Sequence, residues 1–193
     1  MRNEIASLSD TELALLARDG DARAFEEMYD RHAPGVARAL ASYAGADADS
    51  LDDLVQEVFF KVIEGLSSYG PSRAFPHWLY TVALNTGRNY VRYRGREISV
   101  DPSELESWRL SEEGAPDRTD GILGARLVRL VASLSEEMRA VVALRIGSDM
   151  SYGDIGVVLG IPEGTARSRM HNALAILRTR LGAASPESEK EHT

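Results

Sequence analysis

The sequence predicts an all-α fold in two small helical domains joined by a flexible acidic linker. Three observations predict it. Residues 50–66 carry an unbroken apolar stripe at helical spacing, and residues 151–181 read as two helices joined by a tight turn. Residues 98–120 (ISVDPSELESWRLSEEGAPDRTD) lose all periodicity and hold two prolines among many carboxylates. No stretch reads convincingly as a strand, and no internal repeat is present. The expected organisation is a first domain over 9–97, the linker over 98–120, a second domain over 121–182 and a disordered tail over 183–193.

Residues 9–20 (SDTELALLARDG) form a short amphipathic helix, with Ser9 as N-cap and Gly20 past its end. A second helix is expected over 21–44, with Phe25, Met28, Tyr29, Val36 and Leu40 inward. Pro34 stands inside it as a breaker that kinks or divides it. The run 45–50 (GADADS) is a polar turn.

The strongest helix follows over 50–66. Leu51, Leu54, Val55, Val58, Phe59, Val62, Ile63 and Leu66 make its buried stripe. Ser50 is the expected cap, with Asp52 and Asp53 facing the positive end of the helix dipole. The outer face presents Asp53, Gln56, Glu57, Phe60 and Lys61. An outward Phe among carboxylates suits a protein-binding surface, but single exposed apolar residues are common. Periodicity alone favours a solvated face.

Residues 67–73 (SSYGPSR) have loop chemistry. Residues 74–97 then read as one long helix, with Phe75, Trp78, Leu79, Val82 and Ala83 toward a core. Its second half exposes Asn85, Arg88, Asn89, Arg92, Tyr93, Arg94 and Arg96. Arginines that track phosphates beside aromatics that stack on bases suit single-stranded nucleic acid. Tyr80 and Tyr90 fit either a stacking or a core role, and the basic run 92–96 also fits a solvated helix end. Trp108 in so polar a linker implies docking on a flanking domain or a partner.

The second domain begins with a helix over about 121–133, with Ile122, Leu123, Leu127, Leu130 and Val131 inward. Ser135 caps the next, which buries Met138, Val141, Val142 and Leu144 and ends at Gly147. Ser151 and Asp154 then form a capping-box start. Ile155, Val158 and Leu159 share a face, Gly160 ends that helix, and Pro162 opens the last one. Ala166, Met170, Ala173, Leu174 and Leu177 point inward on it. Thr165, Arg167, Ser168, Arg169, His171 and Asn172 point outward. This is a helix-turn-helix, whose second helix can enter a major groove with its first residues against base edges.

Composition excludes several classes. The 193 residues contain no cysteine, so a disulfide framework and a thiolate metal site are ruled out. His32, His77, His171 and His192 are scattered, no phosphate-binding or nucleophile motif occurs, and enzyme chemistry, metals and cofactors are not expected. The start is too polar for a secretory signal and no run reaches membrane-spanning length, so a soluble, cytoplasmic protein is expected. The net charge of −8 hides two basic islands. Residues 70–98 hold five Lys/Arg against one Asp/Glu, and residues 138–182 hold six against three. Phosphate binding needs only such local positive potential.

Three stretches in this order resemble one family: DDLVQEVFFKV at 52–62, FPHWLYTVALNTGRNYVRYRGR at 75–96, and LSEEMRAVVALR with SYGDIGVVLGIPEGTARSRMHNAL over 134–174. The chain resembles the extracytoplasmic-function (ECF, group IV) sigma factors of bacterial RNA polymerase, of the sigma-70 family, over about 9–181. The resemblance implies a region 2-like first domain and a region 4-like second domain. It places the Asp-Leu-x-Gln-Glu motif on Asp53, Leu54, Gln56 and Glu57, with Phe60 beside them, as the surface that docks on the clamp helices of the largest polymerase subunit. This reverses the solvated-face reading. The loop with Ser72 and Arg73 matches the one that captures a flipped base of the −10 element. Asn85, Arg88, Asn89 and Arg92 match the adjoining −10 and backbone contacts. The Pro-x-Gly-Thr-x-x-Ser-Arg pattern falls on Pro162, Gly164, Thr165, Ser168 and Arg169 at the start of the −35 helix, with Arg167, Arg169 and His171 as base or phosphate readers.

Implied partners are core RNA polymerase (those clamp helices and the flap), promoter DNA and a separate anti-sigma protein, with no membrane insertion. The acidic linker is expected to thread the polymerase's RNA path until the transcript displaces it. Gly153 and Gly156 stand where the family usually has Glu and Ala, and each is expected to cost about 0.5–1 kcal/mol of helix stability. Ala166 stands where Val is usual. Two rival functions follow: a stand-alone helix-turn-helix regulator of duplex DNA, and a polymerase-binding adaptor whose promoter-reading domain those glycines disable.

Overall fold

A computed structural model describes residues 2–97 and 130–182, and among these residues all regular structure is helical. The helices are α1 (Arg2–Ile5), α2 (Asp10–Arg18), α3 (Ala22–Ala44), α4 (Ala48–Gly65), α5 (Phe75–Glu97), α6 (Glu136–Ser148), α7 (Tyr152–Leu159) and α8 (Glu163–Gly182). A 3-10 turn over Leu66–Ser68 follows α4, and residues 130–132 are helical before α6. The linker, Trp108, Ile122, Leu123, Leu127, the tail and the side chain of Arg96 lie outside the described residues.

Local chemistry sets the helix ends. Ser9 and Ser151 each close a capping box. The Glu12 N–H donates to Ser9 Oγ at 3.3 Å and the Ser9 N–H donates to the Glu12 carboxylate at 2.8 Å. The Asp154 N–H donates to Ser151 Oγ at 3.1 Å and the Ser151 N–H returns to Asp154 at 3.2 Å. Each box satisfies two otherwise orphaned backbone donors, with a cap worth about 1 kcal/mol. Ser135 caps α6 as expected, and Gly160 ends α7 at φ 66°.

Several expectations are corrected. Asp47, not Ser50, caps α4: its carboxylate accepts the Ser50 N–H at 2.9 Å, so the helix starts at Ala48 and Asp49 occupies its first turn in place of Asp52 and Asp53. Pro34 does not divide α3, which runs unbroken across it. Tyr29 is 38% exposed although its ring lies 4.7 Å from Phe59, and Ile63 is 51% exposed at the edge of the α4 stripe. Pro162 precedes α8, its carbonyl accepting the Ala166 N–H at 3.1 Å. Leu174 sits at the rim of its face and is exposed. Gly147 does not end α6. The helix runs to Ser148 and closes on Asp149 at φ 53°.

That last correction has a packing reason. Gly147 is buried against α3, where a Cβ on it would lie 2.8 Å from the Ala39 nitrogen and 2.8 Å from the Gly35 carbonyl oxygen. The missing side chain lets two helices cross almost backbone to backbone. α3 packs on α6 more extensively than any other two described helices pack on each other. A single apolar cluster therefore spans both domains, from Leu13, Met28, Val36 and Leu40 through Val58, Phe75 and Leu79 to Val141, Leu144, Ile155 and Ala166. The second domain adds a smaller cluster of Val131, Leu134, Val142, Ala173 and Leu177.

The two unusual glycines of α7 differ in role. A Cβ on Gly156 would lie 2.7 Å from the Ile161 carbonyl oxygen, because the turn folds back onto the helix there. Gly156 is thus required by this backbone rather than a simple propensity loss. A Cβ on Gly153 would meet nothing nearer than Ser151 Oγ at 3.5 Å. Gly153→Ala is expected to stabilise the chain by about 0.5–1 kcal/mol through helix propensity. Gly156→Ala is expected to destabilise it by about 1–3 kcal/mol through overpacking. Urea melts of the two variants check the opposite signs.

Candidate functional site

Three surfaces emerge from this framework. The first lies on α4. Leu54, Val55, Val58, Phe59 and Val62 bury one side of the helix, which leaves Asp53, Gln56, Glu57 and Phe60 together on the outer side at i, i+3, i+4 and i+7. All four are exposed, Phe60 at 61%. An aromatic this open beside three polar or acidic groups cannot be explained by its own core. Lys61 ties the stripe to α5, donating to the Glu57 carboxylate at 2.5 Å and to the hydroxyl of buried Thr86 at 3.1 Å. Lys61 lay on the sequence-predicted face, but its bridge to Thr86 had no sequence signal. Ile63 continues the apolar end of the stripe.

The second surface joins the loop after α4 to α5. Tyr69 is buried between Phe75 and Trp78, its ring 5.8 and 5.4 Å from theirs, and its hydroxyl donates to the Arg73 carbonyl at 2.8 Å. Arg73 in turn donates to Thr81 Oγ1 at 2.8 Å, so the loop is fastened at both ends while Ser72 stays exposed. On α5, Asn85, Arg88, Asn89 and Arg92 share a face. Asn85, Asn89 and Arg92 are exposed. Arg88 donates to Asn85 Oδ1 at 3.1 Å and to Glu136 of α6 at 2.9 Å. Tyr93 is 64% exposed, whereas Tyr80 is buried and belongs to the core. Burial pushes the Tyr80 hydroxyl up to about 12.

The third surface is the start of α8. Arg167, Ser168 and His171 are exposed, and Thr165 and Arg169 are half-buried. Arg167 is positioned, since it donates to Glu163 at 2.5 Å and its guanidinium lies 5.5 Å from the Tyr152 ring centre. The Ser168 hydroxyl is turned back onto the Thr165 carbonyl at 3.1 Å. Arg169 lies near Glu137, whose carboxyl is held below its usual range by backbone and Ser135 hydrogen bonds and least by that arginine.

Besides Arg88–Glu136, two further inter-domain contacts had no sequence signal. His77 Nε2 lies 2.9 Å from Asp154 Oδ1, and the Tyr80 hydroxyl reaches the Gly147 carbonyl at 3.4 Å. The Asp154 carboxyl is held below its usual range, first by the Ser151 hydroxyl and then by His77. A carboxylate depressed on folding stabilises the native state above its unfolded value near 3.9 and loses that contribution as pH falls through its folded value. Thermal melts should therefore show stability from this group falling below about pH 4, with Asp154→Asn flattening that fall.

Among the described residues no cluster of His, Asp and Glu could hold a metal ion, and no helix is long and apolar enough to cross a membrane. The fold and its surfaces define a class: an all-helical, two-domain protein that couples a helix-turn-helix to a domain with a cationic, amide-bearing helix face. Residues 28–97 match the family model for Sigma-70 region 2, and residues 124–177 match that for Sigma-70, region 4. RNA polymerase sigma factor CarQ of Myxococcus xanthus is 34% identical over 165 residues, spanning 86% of this chain and 93% of CarQ. The ECF RNA polymerase sigma-E factor of Escherichia coli K12 is 32% identical over 175 residues, spanning 86% and 91%.

Among solved structures, CnrH in complex with the cytosolic domain of CnrY superposes with a TM-score of 0.72 at 27% identity, over 91% of this chain and 99% of CnrH. RpoE of Bartonella quintana, solved with the anti-sigma factor NepR, shares the fold at a TM-score of 0.61 and 22% identity, over 85% and 100%. The chain belongs to the extracytoplasmic-function sigma factors of the sigma-70 family, transcription initiation factors that direct promoter-specific transcription.

Proposed function

We propose that this chain docks on core RNA polymerase through Asp53, Gln56, Glu57 and Phe60 of α4 and reads two promoter elements with its other two surfaces. The observation that carries this is the exposed acidic–aromatic stripe of α4, which its own domain leaves uncovered while fixing it rigidly from behind. Ser72 and Arg73 in the fastened loop, with Asn85, Arg88, Asn89 and Arg92 on α5, take the single-stranded −10 element. Extruding a base costs a few kcal/mol, which contacts in the loop and along the arginine face offset, so strand capture needs no nucleotide hydrolysis. Thr165, Arg167, Ser168, Arg169 and His171 meet the −35 duplex in the major groove. The first helix of the helix-turn-helix that would do so is capped at both ends, and Gly156 fits its turn. This favours promoter reading over an adaptor that lacks it.

The working domains are 9–97 and 121–182, joined by the acidic linker 98–120, in the cytoplasm where the polymerase acts. A separate anti-sigma protein is the natural regulator. CnrH, which this chain resembles, is held in a complex with a cytosolic domain of another protein.

The test is photo-crosslinking. A benzophenone amino acid in place of Phe60 should crosslink to the largest subunit of core polymerase, while the same group at exposed Asp30 on α3 should not. Equal crosslinking from both positions, or none from Phe60, would remove the docking assignment.

A further inference from the structure

Behind the outer stripe of α4 stands a cation fixed from two sides. Lys61 donates to Glu57 Oε1 at 2.5 Å and to Thr86 Oγ1 of α5 at 3.1 Å. The first contact is an i,i+4 pair between two partly exposed side chains of one helix. Such a pair alone holds two long, mobile chains only loosely, because its Coulomb gain in water is small beside the rotamer freedom it costs. The second contact changes that balance. Thr86 is 1% exposed and sits on a helix packed against α4, so its oxygen is a fixed point for the ammonium.

Among the described residues Thr86 is the one polar side chain buried with the core. A buried hydroxyl needs a partner, and Lys61 reaches in to supply one. The result is a bridge that runs from the interior of α5, through one ammonium, to a carboxylate on the outer face of α4. Only Oε1 of Glu57 takes that bond, which leaves Oε2 for an incoming donor. Ordering a free glutamate at an interface costs binding energy, and one already ordered in the free protein avoids that cost.

We propose that Lys61 is a positioning residue of the polymerase-docking surface, holding Glu57 in its binding rotamer from an anchor on Thr86. This role rests on the assignment of α4 as the surface that meets core polymerase. Residues 1–69 hold six Lys/Arg against fourteen Asp/Glu, and a surface this acidic selects a basic partner. By charge alone, Lys61 would hinder docking on such a partner. By positioning, it promotes docking. The two effects have opposite signs, so one substitution separates them.

The test is titration of the full chain, fluorescein-labelled at its amino terminus, with core RNA polymerase, and a thermal melt of each variant. Lys61→Met keeps an unbranched apolar stem, removes the ammonium and should weaken core binding about fivefold. Lys61→Arg, which can span the same two oxygens, should restore most of that loss. Thr86→Val keeps the shape and removes the hydroxyl. A residue 1% exposed does not touch the polymerase, so its expected loss of about threefold has to pass through Lys61. On the Lys61→Met background the same change should cost nothing further, the non-additivity of a shared bridge. The loss from Lys61→Met should also persist between about 0.1 and 0.5 M salt, whereas a charge effect would be screened away. Lys61 is partly exposed, so its variants carry the test alone if Thr86→Val melts early.

Unchanged or tighter binding by Lys61→Met, with Glu57→Ala weakening it, would overturn the positioning role and leave the docking surface standing. Equal losses from Thr86→Val with and without the Lys61 ammonium would overturn the anchor. Unchanged binding by Glu57→Ala would remove the contribution of Glu57 to docking, and the role of Lys61 with it.

Discussion

Replacing Gln56 and Glu57 together with alanine is expected to weaken binding to core RNA polymerase by about 2 kcal/mol or more, roughly thirtyfold, with the fold intact. Both side chains are exposed on α4 and neither contributes to the apolar cluster. The bond lost is the Glu57–Lys61 pair, an exposed i,i+4 contact worth about 0.3–0.5 kcal/mol, and Lys61 keeps its bond to Thr86. A rigid polar group next to an exposed aromatic is the arrangement in which truncation costs binding far more than stability. Titration of labelled core polymerase, with a thermal melt alongside, checks the split. Unchanged affinity would remove the α4 assignment.

The second large effect concerns α8. Arg167→Ala is expected to reduce −35-dependent initiation by about 1–3 kcal/mol, roughly five- to 150-fold, while core binding stays unchanged. Arg167 is exposed and already aimed by Glu163 and the Tyr152 ring, so little ordering remains for DNA to impose. Arg169 is half-buried near Glu137, and its alanine variant is expected to lose some stability as well as promoter activity. Initiation from promoters with intact and scrambled −35 elements separates these cases. Equal loss on both by Arg167→Ala would identify it as a structural arginine.

What was legible in the sequence follows from the range of the forces involved. Caps depend on residues three apart, so Ser9, Ser135 and Ser151 could be read directly. The outward stripe of α4 was equally readable, since it is the complement of a clean apolar period. Where two residues compete for one role the reading failed. Asp47 out-competed Ser50 because its carboxylate reaches the third N–H onward from a position one turn earlier.

Gly147 marks the deeper limit. A glycine near a helix end has the chemistry of a terminator, and only the crossing with α3, more than a hundred residues away, shows that it is needed inside the helix. Gly156 is similar on a smaller scale, because the Ile161 carbonyl that requires it comes from the following turn. The inter-domain pairs His77–Asp154 and Arg88–Glu136 had no sequence signal for the same reason. Each residue already had a sufficient local explanation, as a scattered histidine, a capping acid, a nucleic-acid-facing arginine and a helix-start glutamate.

The central claim is that this chain gives polymerase its choice of promoter, and mapping transcript starts tests it most directly. Core RNA polymerase would be supplied with the purified chain on a library of genomic fragments, and the 5′ ends of the runoff transcripts sequenced. The predicted result is a set of starts, absent without the chain, that share two sequence elements at fixed spacing upstream. Starts indistinguishable from those of core alone, despite demonstrable binding to core, would contradict it.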